Sequence, residues 1–379
     1  MKRFLPHLAS TVLLGAGLFS GCGSSSSAGG TTDDVASGAT DDAVTTADTT
    51  TSDVQTNDTT GQTDVGGGTD AAAVDTGSGT GSTSLAFVKQ TTDTAAGLSA
   101  AIWANGRFVV VGGGDPTKPG DISLTSPDGI NWTKHIVDST LGQHGIAANS
   151  STYVVVGGTF TSSYIATSPD GAVWTSGTKT FPYQLDAVVW APERSEFVAV
   201  GMKGGIVRSA DGTTWEERSS GTSQELTSIA WTGTTYVAVG KAPAGPGQSP
   251  VILTSTDSTA WTLVKNPAGM WFDAVVSNGK VTIAAGQSTQ SSADLTTWTN
   301  LKVPAFAGEV FGMHWSGSRF LAAIEVSPYP STGIIVTSPD GETWTDAGLG
   351  TIKGLYAITS SPTCDVAVGN YGSVYSNCK

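Results

Sequence analysis

The chain has 379 residues, a formal net charge of −14, 49 glycines and only 13 % charged side chains. That length allows one large domain or two ordinary ones, and the glycine-rich, charge-poor composition suits many short strands joined by tight turns. No basic stripe of the kind nucleic-acid binding requires is present, which excludes a nucleic-acid partner.

The chain begins "MKRFLPHLASTVLLGAGLFSGC". Lys2 and Arg3 make a positive start, and residues 8–19 form an apolar run too short to span a bilayer, which reads as a secretory signal. Its ending, Phe19-Ser20-Gly21-Cys22, resembles the bacterial lipoprotein lipobox, with Phe where Leu is commoner. The resemblance implies that residues 1–22 are a lipoprotein signal peptide and that Cys22 becomes the lipidated N-terminus, a firm anchor given the transfer energy of several acyl chains. The alternative is an ordinary cleaved signal with an incidental Cys. Gly23 follows where an Asp would resemble an inner-membrane retention signal, so an outer-membrane lipoprotein, periplasmic or surface-exposed, is expected.

Residues 23–84 are nearly all Ser, Thr, Gly, Ala, Asp and Val, with ten Asp and no Lys, Arg or Glu. Such a stretch cannot bury enough surface to offset its ordering entropy and reads as a disordered linker. Residues 85–379 carry 22 acidic and 16 basic side chains, hence −6.

From residue 125 a phrase recurs: "TSPDGINWT", "TSPDGAVWT", "RSADGTTWE", "TSTDSTAWT", "SSADLTTWT" and "TSPDGETWT". Its Trp falls at 132, 174, 215, 261, 298 and 344, a period that signals stacked units or propeller blades. Within one period, as in residues 227–262, "TSIAW", "YVAVG" and "VILTS" alternate between turns before the phrase returns. Four short period-2 segments predict four antiparallel strands, A to D, with the phrase as the C–D hairpin. Asp128, Asp170, Asp211, Asp257, Asp294 and Asp340 can accept backbone N–H groups of that turn. Gly129, Gly171, Gly212 and Gly341 follow, as positive φ wants. Ser258 and Leu295 stand there in repeats four and five, where a different turn is expected. Trp132, Trp174, Trp215, Trp261, Trp298 and Trp344 should face the adjoining sheet.

The phrase resembles the Asp-box of BNR-repeat proteins, in a form one residue shorter than S-x-D-x-G-x-x-W. Residues 198–215, "VAVGMKGGIVRSADGTTW", resemble the repeats of photosystem-II-assembly-factor-like propellers. The resemblance spans residues 85–379 and implies a sialidase-superfamily fold in which the box is a structural turn away from any active site. Residues 85–379 divide into about seven such periods, so the expected fold is all-β, a seven-bladed β-propeller of four-stranded antiparallel blades. Residues 84–90 look like a strand D without predecessors, and residues 355–377 like strands A to C alone, so the N-terminal strand should complete the last blade and remove exposed edges. Cys364 and Cys378 lie symmetrically about Tyr371 in the last B–C hairpin, opposed closely enough for a disulfide.

A sialidase-like site would need inward arginines, but Arg107, Arg194 and Arg319 fall at A–B turns, leaving only Arg208 and Arg218. Asp186, Glu225, Asp273 and Glu309 fall at or just before strand A starts, either as a carboxylate pair of a glycoside hydrolase or lyase or as a polar channel rim. His135, His144 and His314 differ in phase, so neither metal nor cofactor is expected. The B–C and D–A loops share one face, the one that usually carries binding in propellers of this strand order. Three long Pro-bearing B–C loops, in repeats one, four and six, lie there. Trp103, Trp190, Trp231 and Trp315 share a strand-A packing position, whereas Trp271 is out of phase. With Tyr183, Phe306, Tyr329 and Tyr371 it is the candidate platform for a sugar ring or a protein. The resulting expectation is a lipid-anchored, monomeric, non-enzymatic module binding a protein or glycan. The alternatives are the carboxylate glycosidase or lyase and an assembly factor for a membrane complex.

Overall fold

The computed structural model describes residues 86–114, 120–137, 139–241, 250–264, 271–301, 308–326, 332–347 and 352–379. The signal, Cys22 and the whole linker lie outside them, as do most of the long B–C loops of blades 1, 4 and 6.

Strand B of each repeat lacks a polar face because sheets cover it on both sides. In blade 4, Tyr236 and Ala238 enter the core shared with blade 3, while Val237 and Val239 enter the core shared with blade 5. Phe108 and Val110 likewise face blade 7, and Val109 and Val111 face blade 2. The period-2 alternation thus sorts side chains between two neighbouring sheets, not between core and solvent.

The seven sheets follow chain order. Blade 1 contains Gly97–Ala104, Arg107–Gly113, Asp121–Ser126 and Thr133–Val137. Blade 2 contains Gln143–Ala148, Tyr153–Thr159, Ser162–Ser168 and Thr175–Ser176. Blade 3 contains Leu185–Ala191, Glu196–Gly201, Ile206–Ser209 and Glu216–Arg218. Blade 4 contains Leu226–Trp231, Tyr236–Gly240, Val251–Ser255 and Thr262–Leu263. Blade 5 contains Phe272–Ser277, Thr282–Gly286, Thr289–Ser292 and Thr299–Asn300. Blade 6 contains Gly308–Trp315, Phe320–Val326, Thr332–Ser338 and Thr345–Asp346, with Ile352–Lys353 also paired to its third strand. Blade 7 contains Leu355–Ser360, Asp365–Gly369 and Val374–Ser376. Its fourth strand is Val88–Gln90, with Val88 opposite Ser376 and Gln90 opposite Val374. Strand A of each blade packs on strand A of the next, and blade 7 on blade 1, so the A strands form the inner ring.

The recurring phrase closes every C–D turn by one scheme. In blade 3, Ser209 Oγ donates to Asp211 Oδ1 at 3.0 Å, and the amides of Thr213 and Thr214 donate to that oxygen at 2.8 and 2.7 Å. The Gly212 amide donates to Ser209 Oγ and the Trp215 indole to the Gly212 carbonyl. Blades 4 and 5 turn the same way, contrary to expectation: Ser258 (φ 58°) and Leu295 (φ 62°) adopt the left-handed conformation of Gly212 (φ 78°). The closed hydrogen-bond scheme holds them there. At the A–B end of the blades, Trp103 packs at a tilt against Phe108 (4.6 Å between centroids) and Trp231 against Tyr236 (4.4 Å), cross-strand pairs each contributing about 0.5–1.5 kcal/mol beyond burial. Cys364 and Cys378 are bonded, with Cα atoms 4.9 Å apart. Closing a loop of this size contributes about 3 kcal/mol in the chain-entropy picture.

Candidate binding site at the channel mouth

Every strand A carries one residue more than its strand B partner accommodates, a β-bulge after its first residues. A bulge re-aims the extra side chain. The extra residues are Ser99, His144, Asp186, Thr227, Asp273, Phe311 and Tyr356. Because strand A is innermost, they form one tier around the axis at the end served by the D–A and B–C connections. Neighbours in the tier meet: His144 Nδ1 lies 3.4 Å from Asp186 Oδ1, and Phe311 and Tyr356 pack edge to face at 5.6 Å.

A second tier stands two residues earlier and includes Glu225, Trp271 and Glu309. Its backbone carbonyls run over the ends of the B strands. A Cβ on Gly240 would lie 1.9 Å from the Glu225 carbonyl oxygen, so this approach requires glycine. The next amide, that of Lys241, donates to the same oxygen at 3.0 Å. That bond places Lys241 among the acids.

Lys241 Nζ lies 2.8 Å from Asp273 Oδ1. The Trp271 indole donates to Glu309 Oε1 at 2.5 Å, and the Gln184 side-chain amide donates to Asp186 Oδ1. Asp186 Oδ2 and Asp273 Oδ2 are buried and, among the described residues, meet no donor. Asp273 also faces Glu309, and its charge pushes the Glu309 carboxyl toward the protonated form. Burial, and then Asp273, push the Glu309 carboxyl up to about 7 against the pull of the Trp271 indole. Burial likewise raises Glu225, opposed by Lys241. Burial alone would depress Lys241, but Asp273, Glu225 and Glu309 outweigh it and hold the ammonium charged.

The cluster therefore sets Asp186, Glu225, Asp273 and Glu309 against Lys241 and His144. The five arginines of residues 85–379 are engaged elsewhere: Arg107 with the Asp170 carbonyl, Arg194 with Glu196, Arg208 and Arg218 with Glu216, and Arg319 with Asp365. Among the described residues no group of three or more His, Cys, Asp or Glu side chains could hold a metal ion.

The proposed aromatic platform is not continuous. Trp271 is half-buried and committed to Glu309. Tyr183 is only 5 % exposed, stacks on Phe181, and donates its hydroxyl to Glu217 at 2.6 Å; it packs between blades 2 and 3 and is not presented to a ligand. Tyr371 is 68 % exposed at the B–C turn of blade 7. Phe306 and Tyr329 lie outside the described residues. Sequence reasoning missed Lys241, Phe311 and Tyr356 and separated His144 from Asp186. Aligning the repeats on the first residues of strand A puts His144, Asp186, Asp273, Phe311 and Tyr356 in one column.

The sequence matches no protein-family model and no curated protein. A solved structure described as "YCF48 bound to D1 peptide" superposes with a TM-score of 0.58 at 15 % identity, covering 78 % of this chain and 95 % of that one. At that identity the likeness shows the fold alone.

Proposed function

We propose that the chain is a non-enzymatic binding module, lipid-anchored through Cys22 at the outer membrane, that receives a protein segment at the channel mouth. The observation that carries this reading is the convergence of two tiers of strand-A side chains on one end of the channel, where, among the described residues, Asp186 and Asp273 keep buried, unfilled acceptor oxygens. That the solved YCF48 propeller holds a peptide supports a peptide as ligand class for this architecture. In the assembly-factor form of this reading, the segment belongs to a subunit of a membrane complex.

Photo-crosslinking from position 371, with position 342 on the box-turn face as control, tests the reading in cells. A discrete protein adduct is expected from 371 and none from 342. Equal adducts from both positions, or none, sink it. Radiolabelled palmitate incorporation lost in Cys22→Ser tests the anchor separately.

A further inference from the structure

We propose that the channel mouth recognises a cationic side chain, a lysine-type primary ammonium on a basic peptide segment, held at the arc of Asp186, Glu225 and Asp273. The inference rests on the binding-module reading and adds the chemistry of its ligand.

Three observations carry it. The Asp273 side chain is 8 % exposed and that of Asp186 12 %, yet one oxygen of each meets no donor. Buried acceptors in native proteins are almost always satisfied, and among the described residues these two are open to an N–H donor. Among the described residues the charge count agrees: Lys241 already serves Asp273 Oδ1, which leaves Asp186 and Glu225 in excess beside the neighbouring His144. The same tier continues into Phe311 and Tyr356, whose hydroxyl accepts from Asn370 Nδ2 at 2.6 Å. Carboxylates flanked by aromatic faces suit an organic cation with an alkyl stem.

The test uses the purified full chain and three fluorescein-labelled octapeptides alternating glycine with lysine, glutamine or glutamate, followed by anisotropy. The lysine peptide should bind, with the other two at least about tenfold weaker. Asp273→Asn and Asp186→Asn should each weaken the lysine peptide about tenfold, and Glu342→Gln, on the opposite face, should leave it unchanged. Because Asp273→Asn deprives Lys241 of its partner and can disturb folding, Asp186→Asn, judged at unchanged melting temperature, decides. Equal binding of the glutamine peptide overturns the cation inference and leaves the binding module standing. Lysine-peptide binding indifferent to Asp186→Asn overturns the site. Binding of none of the three overturns the cation inference and, together with absent crosslinks from position 371, the module itself.

Discussion

Lys241 and Asp273 form an ion pair at 2.8 Å across the boundary between blades 4 and 5, with Lys241 following the second strand of one and Asp273 in the first strand of the other. The Lys241 side chain is 31 % exposed and Glu225 and Glu309 stand near it, so losing Asp273 leaves a cation that is only partly stranded. Removing one partner of a fully buried pair costs about 3–5 kcal/mol; here Asp273→Ala should cost about 1–2 kcal/mol, with more than half recovered by adding Lys241→Met. Urea midpoints of the two single variants and the double variant measure this. A double variant no more stable than Asp273→Ala alone would refute the coupling.

Glu309 makes stability fall with rising pH. Its folded carboxyl titrates at about 7 against an ordinary 4.5, so the folded state holds a proton that the unfolded chain has released between those values. The contribution is fully favourable below pH 4.5 and lost by pH 7. The groups facing it are Asp273 and Lys241 across the blade boundary, Trp271 on blade 5, and Glu325 directly opposite on the second strand of blade 6. Glu309→Gln mimics the protonated form and should flatten the decline. Melting temperatures from pH 4.5 to 8 decide: an identical slope in wild type and variant would show that Glu309 is ionised throughout.

Much of the ring was legible in the sequence because one turn chemistry and one strand B pattern recur in phase. The site was only partly legible. Asp186, Glu225, Asp273 and Glu309 stood out near the strand A starts, but the bulge that divides them into two tiers is a matter of pairing register, which adjacent residues do not spell out. Lys241 reads as the polar end of a strand; only the bond from its amide to the Glu225 carbonyl brings it inward. Ser258 and Leu295 misled because residue type was taken to govern the turn, whereas Asp257 and Asp294 hold the left-handed residue through the bonds around it.

The turn aspartates should give the ring a common acid sensitivity. Asp211 is held well below the usual carboxylate range, first by the Thr214 amide and then, against slight desolvation, by Thr213. Asp294 and Asp340 are lowered chiefly by the amides of Thr297 and Thr343. A folded value below the unfolded one, about 3.9, contributes stability at neutral pH that is lost as pH falls through the folded value. Asp211→Ala should cost about 1–2 kcal/mol at pH 7 and less at pH 2. Urea unfolding at both values measures it; an equal loss at both would exclude the ionised acceptor as the cause.

Tyr371 is held at φ 56°, ψ 40°, a left-handed conformation that a bulky side chain occupies at a cost of about 1–2 kcal/mol. Lys203 occupies the equivalent turn of blade 3 at φ 57°, and in both turns a left-handed glycine follows. Under the proposed binding role, this exposed tyrosine near Tyr356 contributes a ring to the ligand while the turn itself follows the shared backbone pattern. Tyr371→Gly relieves the strain while giving the unfolded chain more freedom, so stability should stay within about 0.5 kcal/mol of wild type. Affinity for the lysine peptide should fall about two- to fivefold, the worth of an exposed cation–π contact. Chemical denaturation and anisotropy on the same preparation separate the two effects. A loss of stability beyond about 1 kcal/mol with unchanged affinity would make Tyr371 a structural residue.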